Sequence, residues 1–202
     1  MAEELPGRVV RFLDRGQFGD ALRAAEEAVG RAPDSAEFHY ALGLVLTQLD
    51  RIPEADRSFA RAAELQPADY FLPCRLERSE FEGLVEEVLA SLPTEFASHL
   101  ENVEVTVEAA PGRDLLREGS IEYDLLGFYQ GETIQNGEWG FPDRIVLFQR
   151  NLENASPDRG TLVKEVRDTV LHEVGHHLGM EEDQLEEIEN ELDELDDEGS
   201  SS

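Results

Sequence analysis

Apolar residues recur every four positions near the end of the chain: Leu162, Val166, Val170 and Val174 form one stripe. That spacing predicts an amphipathic helix across ASPDRGTLVKEVRDTVLHEVGHHLG. Ser156 or Thr161 would cap its start, Pro157 would suit its first turn, and Gly179 would stop it. FEGLVEEVLASL (81–92), apolar at 81, 84, 85, 88, 89 and 92, predicts a second helix that ends at Pro93. Strict alternation replaces this period in ENVEVTVEA (101–109). There Val103, Val105 and Val107 oppose Glu104, Thr106 and Glu108, the pattern of a half-buried strand. IEYDLLGFYQG (121–131) and RIVLFQRN (144–151) read as two more strands. Between them runs ETIQNGEWGFPD, a glycine-containing loop with the sole tryptophan, Trp139. Loops of that length are commonly functional, although a tryptophan that only anchors the loop is the simpler reading.

Residues 1–68 read as helix pairs. Leu42, Gly43, Ala55, Phe59, Ala62 and Pro67 fall at positions 7, 8, 20, 24, 27 and 32 of a 34-residue frame that starts at Ala36. One frame earlier Ala21, Ala25, Ala28 and Pro33 match, while Val9 stands where the glycine belongs. The arrangement resembles the tetratricopeptide repeat, whose small residues let two helices approach closely and whose proline ends the second. Asp34 or Ser35, and Asp69, are the expected helix N-caps. A further helix around Leu72–Ser79 would close the stack. The resemblance implies either a surface for a protein partner or a cap that stabilises the neighbouring domain.

Charge narrows the partners. The chain has 46 acidic and 17 basic residues, a net charge of −29. Such a surface repels phosphate, so nucleic acid is not expected, nor is an anionic membrane. Twelve acids lie between Glu181 and Glu198, with no cation after Arg167. Lys164 is the one lysine beside sixteen arginines, a balance that suits a salt-rich cytoplasm or a GC-rich genome. Cys74 stands alone, so no disulfide forms within the chain. The start MAEELPGRVVRF has no basic-then-apolar signal, and runs such as ALGLVL (41–46) are too short to span a bilayer. A cytoplasmic protein is expected.

LHEVGHHLGM (171–180) holds three of the five histidines. On a helix, His172 and His176 lie one turn apart and about 40° apart around the axis. Glu173 lies about 100° round from His172. This H-E-x-x-H spacing is the start of a zinc site: the metal lowers the pKa of a water toward ~7, and the glutamate takes its proton and passes it on. A third ligand is needed. If the chain turns back at Gly179, Glu182 returns to the metal, with Asp183 and Glu181 as rivals and Glu187 or Glu191 as a different solution. His177 points about 100° away from His176 and reads as a supporting or core residue. Asp168 precedes His172 by one turn and would either orient that imidazole or sit in solvent. His39 and His99 have no companion ligands. Tyr123 and Tyr129 would serve as oxyanion donors or, more simply, as packing residues.

HEVGHHLGMEED is similar to the zincin-like metallopeptidases, in particular to a small "minimal zincin" family carrying H-E-x-x-H-x-x-G-x-x-D. LLGFYQG (125–131) and FPDRIVLFQRN (141–151) also resemble that family's segments. The resemblance covers about residues 80–190. It implies a zinc ion (Zn2+) on His172, His176 and the third-ligand position, with Glu173 as base. That position carries Glu182 in place of aspartate, one methylene longer, so the turn would have to adjust. The expected fold is α+β: helical hairpin repeats over 1–79, a small zincin-like domain with a short sheet and an active-site helix over 80–190, and an acidic, partly disordered tail over 191–202. The expected function is a zinc-dependent metallopeptidase acting on peptides or proteins. The alternative is a non-catalytic zinc-binding domain coupled to a protein-interaction module.

Overall fold

The computed structural model describes residues 4–131, 143–178, 180 and 185; for residues 4–6, 95, 101, 102, 176 and 177 it describes the backbone alone. The expected α+β class holds. In chain order the elements are α1 (Glu4–Leu13), α2 (Phe18–Arg31), α3 (Ala36–Gln48), α4 (Ile52–Leu65), α5 (Arg78–Ser91), α6 (Thr94–Ala97), a 3-10 turn (Ser98–Asn102), β1 (Glu104–Glu108), α7 (Arg113–Glu118), β2 (Gly127–Gln130), β3 (Arg144–Phe148), α8 (Gln149–Ala155) and α9 (Arg159–His177). Among the described residues no helix is long and apolar enough to cross a membrane. The chain divides into two compact units, one of Met1–Arg75, Ala109–Leu125 and Phe148–Arg159, the other of Leu76–Glu108, Leu126–Leu147 and Gly160–Ser202.

In the first unit, α1 to α4 form two hairpins that repeat each other. At Gly43 a Cβ would stand 2.6 Å from the Phe59 ring, so only glycine lets α3 lie this close to α4. One 34-residue frame earlier the same two places hold Val9 and Ala25, both buried in one cluster with Leu13, Phe18 and Val45. Bulk has moved from one helix to the other, and the first hairpin still packs. The helix ends repeat as well. Gly16 (φ 63°) and Asp50 (φ 56°) are one frame apart and both left-handed. Gln17 N–H bonds Phe12 O and Gly16 N–H bonds Leu13 O, both at 2.8 Å; Arg51 N–H bonds Leu46 O and Asp50 N–H bonds Thr47 O, both at 2.9 Å. These paired closures are the Schellman helix stop.

Ser35 occupies the N-cap position of α3, without a side-chain bond to the helix. Two expectations fail after α4. No helix covers Leu72–Ser79: residues 70–77 are irregular and α5 begins at Arg78. Pro73 explains this, because it lacks an N–H and biases Leu72 away from helical angles. Asp69 therefore caps nothing; its N–H closes a turn on Gln66 O at 3.2 Å.

The strands are also shorter than alternation suggested. IEYDLLGFYQG is strand only from Gly127, because the Asn151 side chain draws the Tyr123 and Leu125 carbonyls to itself at 2.9 and 2.7 Å. RIVLFQRN stops being strand at Phe148, and Gln149 opens α8. The fully buried Glu153 carboxylate accepts bonds from Gln149 (2.9 Å) and Arg150 (2.8 Å), partners three and four residues away that meet only on a helix. Arg75 also reaches Glu153, at 3.1 Å. Ser156 does not cap α9. It ends α8, its hydroxyl donating to Leu152 O at 2.8 Å, and α9 starts at Arg159.

The second unit holds a three-stranded sheet in the order β1-β3-β2, with β2 antiparallel to β3 and Tyr129 opposite Ile145. A reciprocal box between Glu77 and Glu80 starts α5, which buries Phe81, Leu84, Val85 and Val88 as its periodicity required. On α9 the stripe of Leu162, Val166, Val170 and Val174 is buried throughout.

Candidate active site

The site is built where β2 lies along α9. Gly127 makes the approach possible: a Cβ there would stand 2.8 Å from the Thr169 methyl and 2.9 Å from Val146 O. Two residues further along the strand, Tyr129 N–H donates to Glu173 Oε2 at 2.8 Å. The spacings match. Two strand residues advance about 6.6–6.8 Å and four helix residues about 6.0 Å, so contacts 127–169 and 129–173 keep step. β2 is an edge of the sheet, and alternate residues of an edge strand turn their N–H away from the neighbouring strand. Glu173 satisfies one such outward amide.

His172, Glu173 and His176 all belong to α9, so the helical spacing of the motif is realised in the backbone. His172 and Glu173 are half-buried. The side chains of His176 and His177 lie outside what is described, as do Trp139, Gly179, Glu181, Glu182, Asp183, Glu187 and Glu191. Among the described residues no three His, Cys, Asp or Glu side chains gather to hold a metal. Two neighbouring facts bear on the return of the chain. Met180 N–H bonds Gly175 O at 3.0 Å, the six-residue closure also found at the ends of α1 and α3. Leu185, only 2% exposed, packs on Gly175 so tightly that a Cβ at 175 would collide with it. Met180 and Leu185 both lie against the helix that carries the histidines. His172 and His176, one turn apart along the α9 backbone, have the spacing that two zinc-binding imidazoles need.

Around this centre, Asp168 is engaged by Lys164 and Arg167, both at 3.1 Å. Tyr123 is a packing residue, buried with Leu13, Phe18 and Leu116 in the first unit. Tyr129 stays near the site: its phenol is pushed up to about 12 by burial and by the Asp143 carboxylate. It remains a neutral hydroxyl at any ordinary pH. Glu165, two turns before Glu173 on the same row as Thr169, is raised above the usual carboxylate range, chiefly by burial and then by Asp168. His39 bonds Pro33 O at 2.8 Å, an ordinary structural role. Sequence reasoning missed the Tyr129–Glu173 bond, which joins positions 44 residues apart. The glycine in LLGFYQG was the one local sign of a close approach.

Two comparisons with known families fit this layout. Residues 100–192 match the family described as Zincin-like metallopeptidase, and residues 8–70 match the tetratricopeptide repeat. No curated protein matches the chain. The chain thus joins an N-terminal tetratricopeptide-repeat module to a zincin-like segment, and the H-E-x-x-H helix falls in the second.

Proposed function

We propose that the chain is a zinc-dependent metallopeptidase, with His172, His176 and Glu182 as metal ligands and Glu173 as general base. When bound, zinc would lower the pKa of a water toward ~7 and polarise a substrate carbonyl. Glu173 would take a proton on its carboxylate and deliver it to the departing amine. Tyr129, on the edge strand beside α9, lies where an extended peptide would run along the sheet. On this reading residues 80–190 act as the catalytic domain, 1–79 as a repeat module open to a protein partner, and 191–202 as an acidic tail.

The supporting observation is the 2.8 Å bond from Tyr129 N–H to Glu173. A base must be held in one orientation before it can act, and a hydrogen bond to a charged group contributes about 1.5–3 kcal/mol toward that. The same bond would also serve a purely structural zinc domain, which is the second reading. Glu173→Gln separates them, because its amide oxygen can still accept from Tyr129 while it cannot act as a base. Both wild type and Glu173→Gln are expected to hold about one equivalent of zinc, and only wild type to cut a peptide library. His172→Ala should lose the metal. Equal cleavage by wild type and Glu173→Gln would remove Glu173 from the chemistry, and zinc binding with no cleavage by either would favour the structural reading.

A further inference from the structure

The opposite edge of the same sheet carries a groove that the metal site does not use. It has a volume of about 440 Å³ and lies between α5 and β1 within the second unit. β1 is the other edge strand, and among the described residues no strand pairs with its outer side. Glu104 N–H is donated inward, to Asp143 O at 2.9 Å. Residues 105 and 107 therefore turn their backbone groups outward, and the Val107 carbonyl takes the Arg78 guanidinium that reaches across from α5. Val85 and Leu89 supply an apolar wall on the helix, facing Val105 and Val107.

Charge decides what this groove suits. Among the described residues Arg78 is the sole cation lining it, and it is already paired with Glu82 at 2.6 Å. Glu86, exposed on the same wall, has no ion pair among the described residues. The helical stripe from Arg78 to Leu89 is about 16 Å long, enough for about five extended residues.

We propose that this groove binds an extended peptide segment that adds to β1 as a fourth strand, with apolar side chains against Val85 and Leu89 and a lysine or arginine against Glu86. Main-chain bonds to the outward groups of Val105 provide affinity; Glu86 selects for positive charge. The binding is independent of the zinc chemistry.

The test uses the full chain carrying Glu173→Gln, so that no peptide is cut. A fluorescein-labelled seven-residue peptide alternating valine and lysine is titrated by anisotropy at physiological salt. Glu86→Lys and Val105→Pro are each expected to weaken binding at least tenfold. Proline is tolerated on edge strands, and the surface change Glu86→Lys decides the matter if Val105→Pro misfolds. The same peptide N-methylated at alternate amides keeps its charge but not its strand bonds, and should also lose at least tenfold. Equal affinity for the methylated peptide would mean diffuse attraction to an acidic protein and overturn the proposal. So would unchanged binding by Glu86→Lys, or equal binding of a valine–glutamate peptide. Concentration-dependent self-association abolished by Glu86→Lys would assign the groove to a second copy of the chain, and the peptide proposal would fall.

Discussion

Glu165 shows how a single carboxylate reports on its surroundings. Its pKa is raised by burial first and Asp168 second, so the fold disfavours the ionised form. Its contribution to stability is thus fully present below the unfolded value near ~4.3 and is lost as pH rises through the higher folded value. Glu165→Gln should therefore resist urea better than wild type at pH 7, with the gain vanishing by about pH 4. An equal gain at both pH values would show that packing, not ionisation, was changed. At the same scale the sequence was informative about spacing and silent about partners. His172, Glu173 and His176 could be placed on one helix from the 3.6-residue period, since that rule is local. The amide that holds Glu173 comes from a strand 44 residues away, and no local pattern encodes such a pairing.

Among the elements, the two hairpins offer a natural exchange experiment. Gly43 faces Phe59 in one, and Val9 with Ala25 fills the equivalent places in the other. Gly43→Val alone overpacks and Phe59→Ala alone leaves a cavity, at costs of about 1–3 and 3–5 kcal/mol. The double variant reproduces the bulk of the first hairpin and should cost less than the sum, with a coupling of about 1–3 kcal/mol in denaturant titrations. Simple additivity would show that the exchange of bulk is incidental. The helix stops are comparably specific. Asp50 is a left-handed residue in the place where its counterpart is Gly16, so Asp50→Gly should raise stability by up to about 1 kcal/mol. A loss on that substitution would mean that the Asp50 side chain contributes more than its strained backbone costs. Long periodic elements such as α5 and α9 were readable because a buried stripe must repeat. The short helices α7 and α8 were not: six or seven residues make barely two turns, and α8 exists largely to bring Gln149 and Arg150 to Glu153.

For the whole molecule, metal and fold should be linked unevenly. A ligand that binds the native state stabilises it by about 2.7 kcal/mol at a hundred times its dissociation constant. Chelation should thus release amide protection in α9, while the amides of α1 to α4 exchange as before. Loss of protection in both places would tie the repeats to the metal, and loss in neither would argue against a metal on α9.

The matched stride of β2 and α9 has one further consequence. A one-residue slip of β2 against β3 would turn the Tyr129 amide away from Glu173, since strand neighbours face opposite ways. The motif is written in five consecutive residues, His172 to His176, yet its carboxylate is aimed only after a distant strand has found its correct partner. A half-assembled chain would carry every named residue and still be harmless, a safeguard for a protein proposed to cut others like itself.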